Sequence, residues 1–144
     1  MTISFSIDGD PVPKARPRLG RGGHVFTPKK THLYEQKVKA LAKRAMGELD
    51  PLDCPVKVEM TAFFAIPKSW SKKKKIAADL GPHSHKPDLD NVVKSVVDGM
   101  NGVVFIDDAL VSQVTAKKIY SQIPHVEVRI EEIGGKDGAY ATKP

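Results

Sequence analysis

The stretch 86–111, KPDLDNVVKSVVDGMNGVVFIDDALV, decides how this chain is read. At about 100° per residue, Val92, Val93, Val96, Val97 and Met100 fall within one arc, with Asn91, Lys94 and Asp98 opposite and Asp90 near its edge. Four valines favour a strand by propensity. Paired valines four residues apart do not, because successive strand side chains point to opposite faces. The spacing therefore predicts a helix, with Asp88 or Asp90 as a possible N-cap and Gly102 as its stop. The run VVFID at 103–107 predicts a short strand ending on Asp107 and Asp108.

Outward from this stretch the signals alternate between strand and helix. ISFSIDG (3–9) alternates as a half-buried strand does, and a loop dense in Pro, Gly and Arg follows it. In KKTHLYEQKVKALAKRAMGEL, the residues Leu33, Val38, Leu41, Ala42, Ala45 and Met46 recur at helical spacing, with Thr27 or Thr31 to start the helix and Gly47 to stop it. VKVEMTAFFAIP (56–67) is a strand pattern, and Ser69 is placed to cap a short basic helix running to about Leu80. Residues 109–121 and 125–133 predict two more strands joined at Pro124. The order β-α-β-α-α-β-β-β predicts an α+β domain, with a mixed, mainly antiparallel sheet packed against helices. It spans residues 1–133 and is followed by a mobile tail at 134–144.

Composition narrows the class. The 144 residues suit a single domain, and 40% hydrophobic with 28% charged residues reads as globular rather than disordered. No apolar run approaches a bilayer span, so no membrane partner is expected, and MTISFSIDGD lacks the features of a signal peptide. Cys54 is the only cysteine, which excludes an internal disulfide or a CxxC metal site and suits a cytoplasmic setting. The net charge of +6 suggests a polyanionic partner. Ten Lys and Arg lie between Asp10 and Asp50, and Lys72 to Lys75 form a second block.

Against that charge the stretch 86–111 holds five aspartates. Asp88 and Asp90 share a face in an extended segment leading into a helix, and Asp107 and Asp108 return one helix-strand unit later. Hard cations such as Mg²⁺ take oxygen ligands of this kind, whereas carboxylates packed without a cation raise one another's pKa. Taken one at a time, each aspartate reads as a cap or turn residue; the combination reads as a metal site. Lys94, one turn after Asp90, is placed to stabilise charge on a phosphate, or else to form a surface ion pair with Asp90 or Asp98. Asp98 reads as structural, able to pair with Lys94 one turn earlier. Lys14, Arg16, Arg18 and Arg21, spaced by Pro and Gly, suit a phosphate backbone, and Lys72 and Lys73 add non-specific affinity. His83 and His85 read as loop residues, Trp70 as a candidate for stacking on a base, and Phe64 chiefly as core.

The combined pattern PDLDN, a lysine four residues after the second Asp, DG further along the helix and an apolar stretch ending in DD resembles the central motif of RusA-type Holliday junction resolvases. GDPVPKARPR is similar to that family's N-terminus, and the likeness spans roughly residues 3–131. The resemblance implies a homodimeric, Mg²⁺-dependent endonuclease, with Mn²⁺ as a substitute, that nicks four-way DNA junctions symmetrically. It places the metal-binding catalytic aspartates at Asp88, Asp90 and Asp108, the functional lysine at Lys94 and an accessory acid at Asp107. A general metal-dependent nuclease and a non-catalytic basic DNA-binding protein are the alternatives.

Overall fold

A computed structural model describes residues 1–134; the tail expected at 134–144 lies, but for Gly134, outside the described residues. Four strands, β1 (Thr2–Asp8), β4 (Val56–Ala65), β5 (Val111–Ser121) and β6 (His125–Glu132), form one sheet in the order β1-β6-β4-β5. β6 runs antiparallel to both β1 and β4, while β4 and β5 are parallel, so the sheet is mixed. Three helices accompany it: α1 (Lys29–Met46), α2 (Lys72–Ala78) and α3 (Leu89–Met100). No helix among the described residues is long and apolar enough to cross a membrane.

The alternation in β4 explains the layering. Val56, Val58, Met60, Ala62 and Phe64 are buried, while the intervening residues are only half-buried. That face meets α1 through Tyr34, Val38, Ala42 and Met46, and α3 through Val92, Val96 and Met100. Val93 and Val97 are partly buried on the rim of the same stripe, so the valine-rich stretch is a helix. Gly99 lets α1 and α3 approach closely: a Cβ there would lie 2.6 Å from the Val38 Cβ.

Several local expectations are corrected. Residues 103–107 do not form a strand: Gly102 has φ +81, Val103 and Val104 both donate to the Met100 carbonyl, and only isolated bridges link Phe105 to Leu52 and Asn101. Their apolar character serves burial instead, since Val104 and Phe105 plug the core. Ser71 rather than Ser69 caps α2, accepting from the Lys74 amide at 3.2 Å, and the helix ends at Ala78 because Leu80 takes φ +61. α1 begins at Lys29 behind Pro28, which leaves Thr31 inside the helix, and Leu33 is exposed. Within the basic loop, β2 (Arg18–Leu19) and β3 (Val25–Phe26) pair as a small hairpin.

Candidate metal and nucleic-acid site

Asp88 stands at the N-cap of α3, yet its carboxylate makes no capping bond, so the capping reading does not account for it. It accepts instead from the Lys86 ammonium at 2.8 Å, across a cis Lys86–Pro87 peptide. That hydrogen bond, the Lys86 charge and the more distant Lys118 charge outweigh the small effect of burial and hold the Asp88 carboxyl below its ordinary pKa. Asp90, in the first turn of α3, also acts on the Lys86 ammonium and helps to raise its pKa. Both carboxylates are exposed and gathered about one cationic group. This is the environment a hydrated divalent cation fits, since Mg²⁺ needs only one or two carboxylates beside water and phosphate oxygens.

Lys118, a residue sequence reasoning missed, fixes the approach to this pair. Its ammonium donates to the His85 carbonyl at 2.7 Å and the Pro87 carbonyl at 2.8 Å, pinning the loop before α3 to β5. Lys118 itself is only half-buried, in a strand where Tyr120 is the one buried residue, so its role had no clear local signal. Beside it, His83 stacks on Phe64 at 4.1 Å and lies 4.8 Å from the Tyr120 ring, with Trp70 tilted against Tyr120 and capped by the Lys74 ammonium. Burial first, then the Lys118 and His85 charges, lower the His83 pKa.

Asp107 and Asp108 lie elsewhere. Asp108 opens a short 3-10 turn (Asp108–Leu110) just before β5. Val111 is level with Val56, whereas Lys118 is level with Ala62. Seven residues of strand at about 3.3 Å each separate these levels by about 23 Å. The twelve-residue α3, running back between them, has a length of about 18 Å. Accordingly no group of three His, Cys, Asp or Glu placed to hold a metal occurs among the described residues. One chain brings Asp88 and Asp90 together but leaves Asp107 and Asp108 at the far end of the sheet.

Asp98 does not pair with Lys94. Its partner is Lys14, at 3.1 Å, and Lys14 also bonds Glu35 at 2.6 Å. Burial opposes the charge on Lys14, but the hydrogen bonds from Glu35 and Asp98 prevail and raise its pKa. Lys14 thus clamps the basic loop rather than reaching outward. The clamp is reinforced by the Lys14 amide on the Asn91 carbonyl, the Ser95 hydroxyl on the Val12 carbonyl at 2.6 Å, and the buried Thr31 hydroxyl, which accepts from the Ala15 amide. Ser95, a polar residue within the apolar arc of α3, was the legible sign of it. The effect is to set Arg16, Arg18 and Arg21, all exposed, on a segment anchored next to Asp90. Lys94 is exposed and forms no ion pair among the described residues. Lys72 and Lys73 are exposed on α2.

Comparison with known proteins converges on one family. The family described as Endodeoxyribonuclease RusA matches residues 8–131. The YqaN protein of Bacillus subtilis (strain 168) is 37% identical over 138 residues, covering 91% of this chain and 96% of that protein. A crossover junction endodeoxyribonuclease rusA of Lactococcus phage r1t is 27% identical over 141 residues, covering 92% of this chain and all of that protein.

Proposed function

Because the chain belongs to the RusA family of endodeoxyribonucleases, we propose that it resolves four-way DNA junctions by Mg²⁺-dependent, paired nicking as a homodimer. The single observation that carries the catalytic assignment is the exposed Asp88–Asp90 pair, relieved of capping and held anionic beside Lys86. Asp88 and Asp90 would hold Mg²⁺, with Mn²⁺ able to substitute, and the third carboxylate, Asp108, which lies far from them within one chain, would come from the second copy of the homodimer. When bound, the ion supplies a water of lowered pKa and neutralises charge on the scissile phosphate.

The remaining work falls to the chain's own residues. Arg16, Arg18 and Arg21, with Lys72 and Lys73, hold the phosphate backbone by charge alone, which suits recognition of a junction by its shape. The clamp at Lys14 keeps the arginine segment against α3, so the backbone is presented beside the two carboxylates. Lys94 projects its ammonium one turn from Asp90, where it would offset the negative charge that grows on phosphorus-bound oxygens. Attack by water in line with the departing O3′ breaks the P–O3′ bond, leaving a 5′-phosphate and a 3′-hydroxyl. Two such sites in a two-fold dimer match the symmetry of a four-way junction.

The test is incubation with labelled four-way junction, duplex and flap DNAs, with and without Mg²⁺, for the wild type and Asp90→Asn. Symmetric nicks confined to the junction, lost in the variant while junction binding persists, are expected. Equal cutting of duplex would reduce the protein to a general nuclease. Cleavage by Asp90→Asn at the wild-type rate would remove Asp90 from the site.

A further inference from the structure

We propose that the β2–β3 hairpin is a wedge that seats its apolar side chains against the bases exposed where the arms of a DNA junction meet. The inference rests on the junction-nuclease reading above and adds the residues by which branched DNA is preferred over duplex.

The hairpin is formed but uncovered. Arg18 pairs with Phe26 and Leu19 with Val25, the Gly20 amide donates to the His24 carbonyl at 2.7 Å, and Gly22 and Gly23 close the tip with φ of +80 each. Residues opposite one another in an antiparallel pair share a face. One face therefore carries Leu19 and Val25, and the other carries Arg18 and Phe26. The His24 ring lies across Gly20, where a Cβ would meet its Nε2 at 2.6 Å. Both strands are exposed along their length: Leu19 by 75%, Val25 by 63% and Phe26 by 43%. Apolar side chains gathered in the open in this way mark a binding surface.

Its mounting suits a fixed probe rather than a free loop. The Ala15 amide donates to the hydroxyl oxygen of the buried Thr31 at 3.2 Å, which closes the neck of the excursion 16–30. The Lys14 amide on the Asn91 carbonyl sets that neck next to Asp90.

Charge selects the occupant. Residues 11–34 carry Lys14, Arg16, Arg18, Arg21, Lys29 and Lys30 and no acid. A second copy of so basic a surface would be repelled. DNA offers both halves of the match, phosphates for Arg18 and Arg21 and flat apolar base faces for Leu19, Val25 and Phe26. An anionic lipid surface also offers phosphates, but the hairpin is rooted beside the Asp88–Asp90 pair, where DNA must lie to be cut. In a continuous duplex the base faces are stacked and out of reach. At a branch point the stacking is interrupted, and an apolar wedge gains contact there alone. The apolar residues thus separate junction from duplex, which phosphate contacts common to both cannot do.

The test is a variant carrying Leu19→Ser, Val25→Ser and Phe26→Ser together. It removes no buried side chain, so its unfolding midpoint should match that of the wild type. Affinities for a four-way junction and for a duplex of the same sequence are measured by fluorescence anisotropy without divalent ions. The variant should bind the junction about tenfold more weakly, the scale of a lost stacking contact, with duplex affinity and salt slope unchanged. In parallel, 2-aminopurine is placed beside the branch point, where its emission rises as the base leaves its neighbours. It should brighten with the wild type and not with the variant, and Phe26→Ser alone should move both readouts the same way by less. Equal losses on junction and duplex, or an unaltered junction affinity, would overturn the wedge, while junction cleavage by the wild type keeps the nuclease reading intact. Binding of the wild type to phosphatidylserine vesicles that the variant loses, with junction affinity unaltered, would assign the hairpin to a membrane. A variant that sediments as a monomer where the wild type is a dimer would assign it to a second copy, and either result overturns the proposal. A wild type with no preference for junction over duplex would refute the junction reading, and the wedge with it.

Discussion

The ammonium of Lys14 lies 2.6 Å from the Glu35 carboxylate, joining the basic loop to α1 through a pair whose side chains are less than one-fifth exposed. Asp98 on α3 shares the same ammonium, so one cation neutralises two acids on two helices. Lys14→Met leaves those acids facing each other in a partly dry pocket. A loss of about 1–3 kcal/mol in urea unfolding is expected, because removing one partner of a desolvated pair strands the others. Since Lys14 carries a raised pKa, its contribution is present below its ordinary value of 10.5 and declines as pH rises above it. The wild type should therefore lose stability in that alkaline range by a margin the Lys14→Met protein does not show.

Gly99 tests the packing beneath that clamp. A Cβ at this position would meet the Val38 Cβ at 2.6 Å, its Cγ1 at 2.7 Å and the Glu35 carbonyl at 3.1 Å. A helix interior ordinarily gains from Gly→Ala, yet here the added methyl must push α1 away from α3. Gly99→Ala should cost about 1–3 kcal/mol in thermal or urea unfolding. Restoration by a second change, Val38→Ala, would identify the clash as the cause, whereas a stabilised Gly99→Ala protein would contradict the packing described.

The helix bearing Asp90 was legible because period and propensity disagreed and period prevailed: Val92, Val96 and Met100 are fully buried on one face. The run VVFID misled because a short apolar segment has the same composition whether it pairs in a sheet or plugs a core. What determines which it is includes Leu52, a bridge partner of Phe105 more than fifty residues away in sequence, beside the nearby Asn101. The exposure of Asp88 and Asp90 at the start of α3, and of the arginines in the loop, could be read from local pattern. The pairing of Lys14 with Glu35 and Asp98 could not, since it depends on how α1 crosses α3. Nor could the distance from Asp108 to Asp88 be read, because it follows from β5 running parallel to β4 with α3 returning between them.

His83 predicts a response in mildly acidic solution. Its ring is stacked on Phe64, its buried Nδ1 has no hydrogen-bond partner, and its pKa is lowered from 6.5 by burial and by the Lys118 and His85 charges. A depressed value means the fold favours the neutral ring. The stability linked to His83 is thus full above pH 6.5 and lost as pH falls through the lower folded value. His83→Phe keeps the stacking and removes the titration, so unfolding followed between pH 7 and pH 5 should fall less steeply for the variant. Parallel profiles would show that His83 does not titrate with folding.

The exposed arginines predict a salt dependence. Arg16 and Arg18 extend from the anchored segment beside Asp90, and each phosphate contact releases counterions on binding. Arg16→Gln and Arg18→Gln should each reduce the slope of log affinity against log salt by about one, with junctions of different sequence affected alike. The comparison is made by fluorescence anisotropy without divalent ions, so binding is measured apart from cleavage. A variant that changes the sequence preference and leaves the slope unaltered would mark a base contact instead.

Lys86 predicts a competition for Asp88. Its ammonium bonds the Asp88 carboxylate at 2.8 Å while itself being 86% exposed, so it is free to leave when a stronger cation arrives. Any divalent ion taken up by Asp88 and Asp90 must displace it. Lys86→Met removes the competitor, and the Mn²⁺ dissociation constant should fall by a factor of about two to five, the scale of a solvent-exposed ion pair. The same change should return the Asp88 carboxyl upward toward its ordinary pKa, because the Lys86 hydrogen bond and charge are the first causes of its depression. Calorimetric titration with Mn²⁺ and an NMR pH titration of the Asp88 carboxyl measure the two effects separately. If the carboxyl rises as expected while Mn²⁺ affinity stays unchanged, Asp88 holds Lys86 but not the metal, and the ion must be sought on other carboxylates.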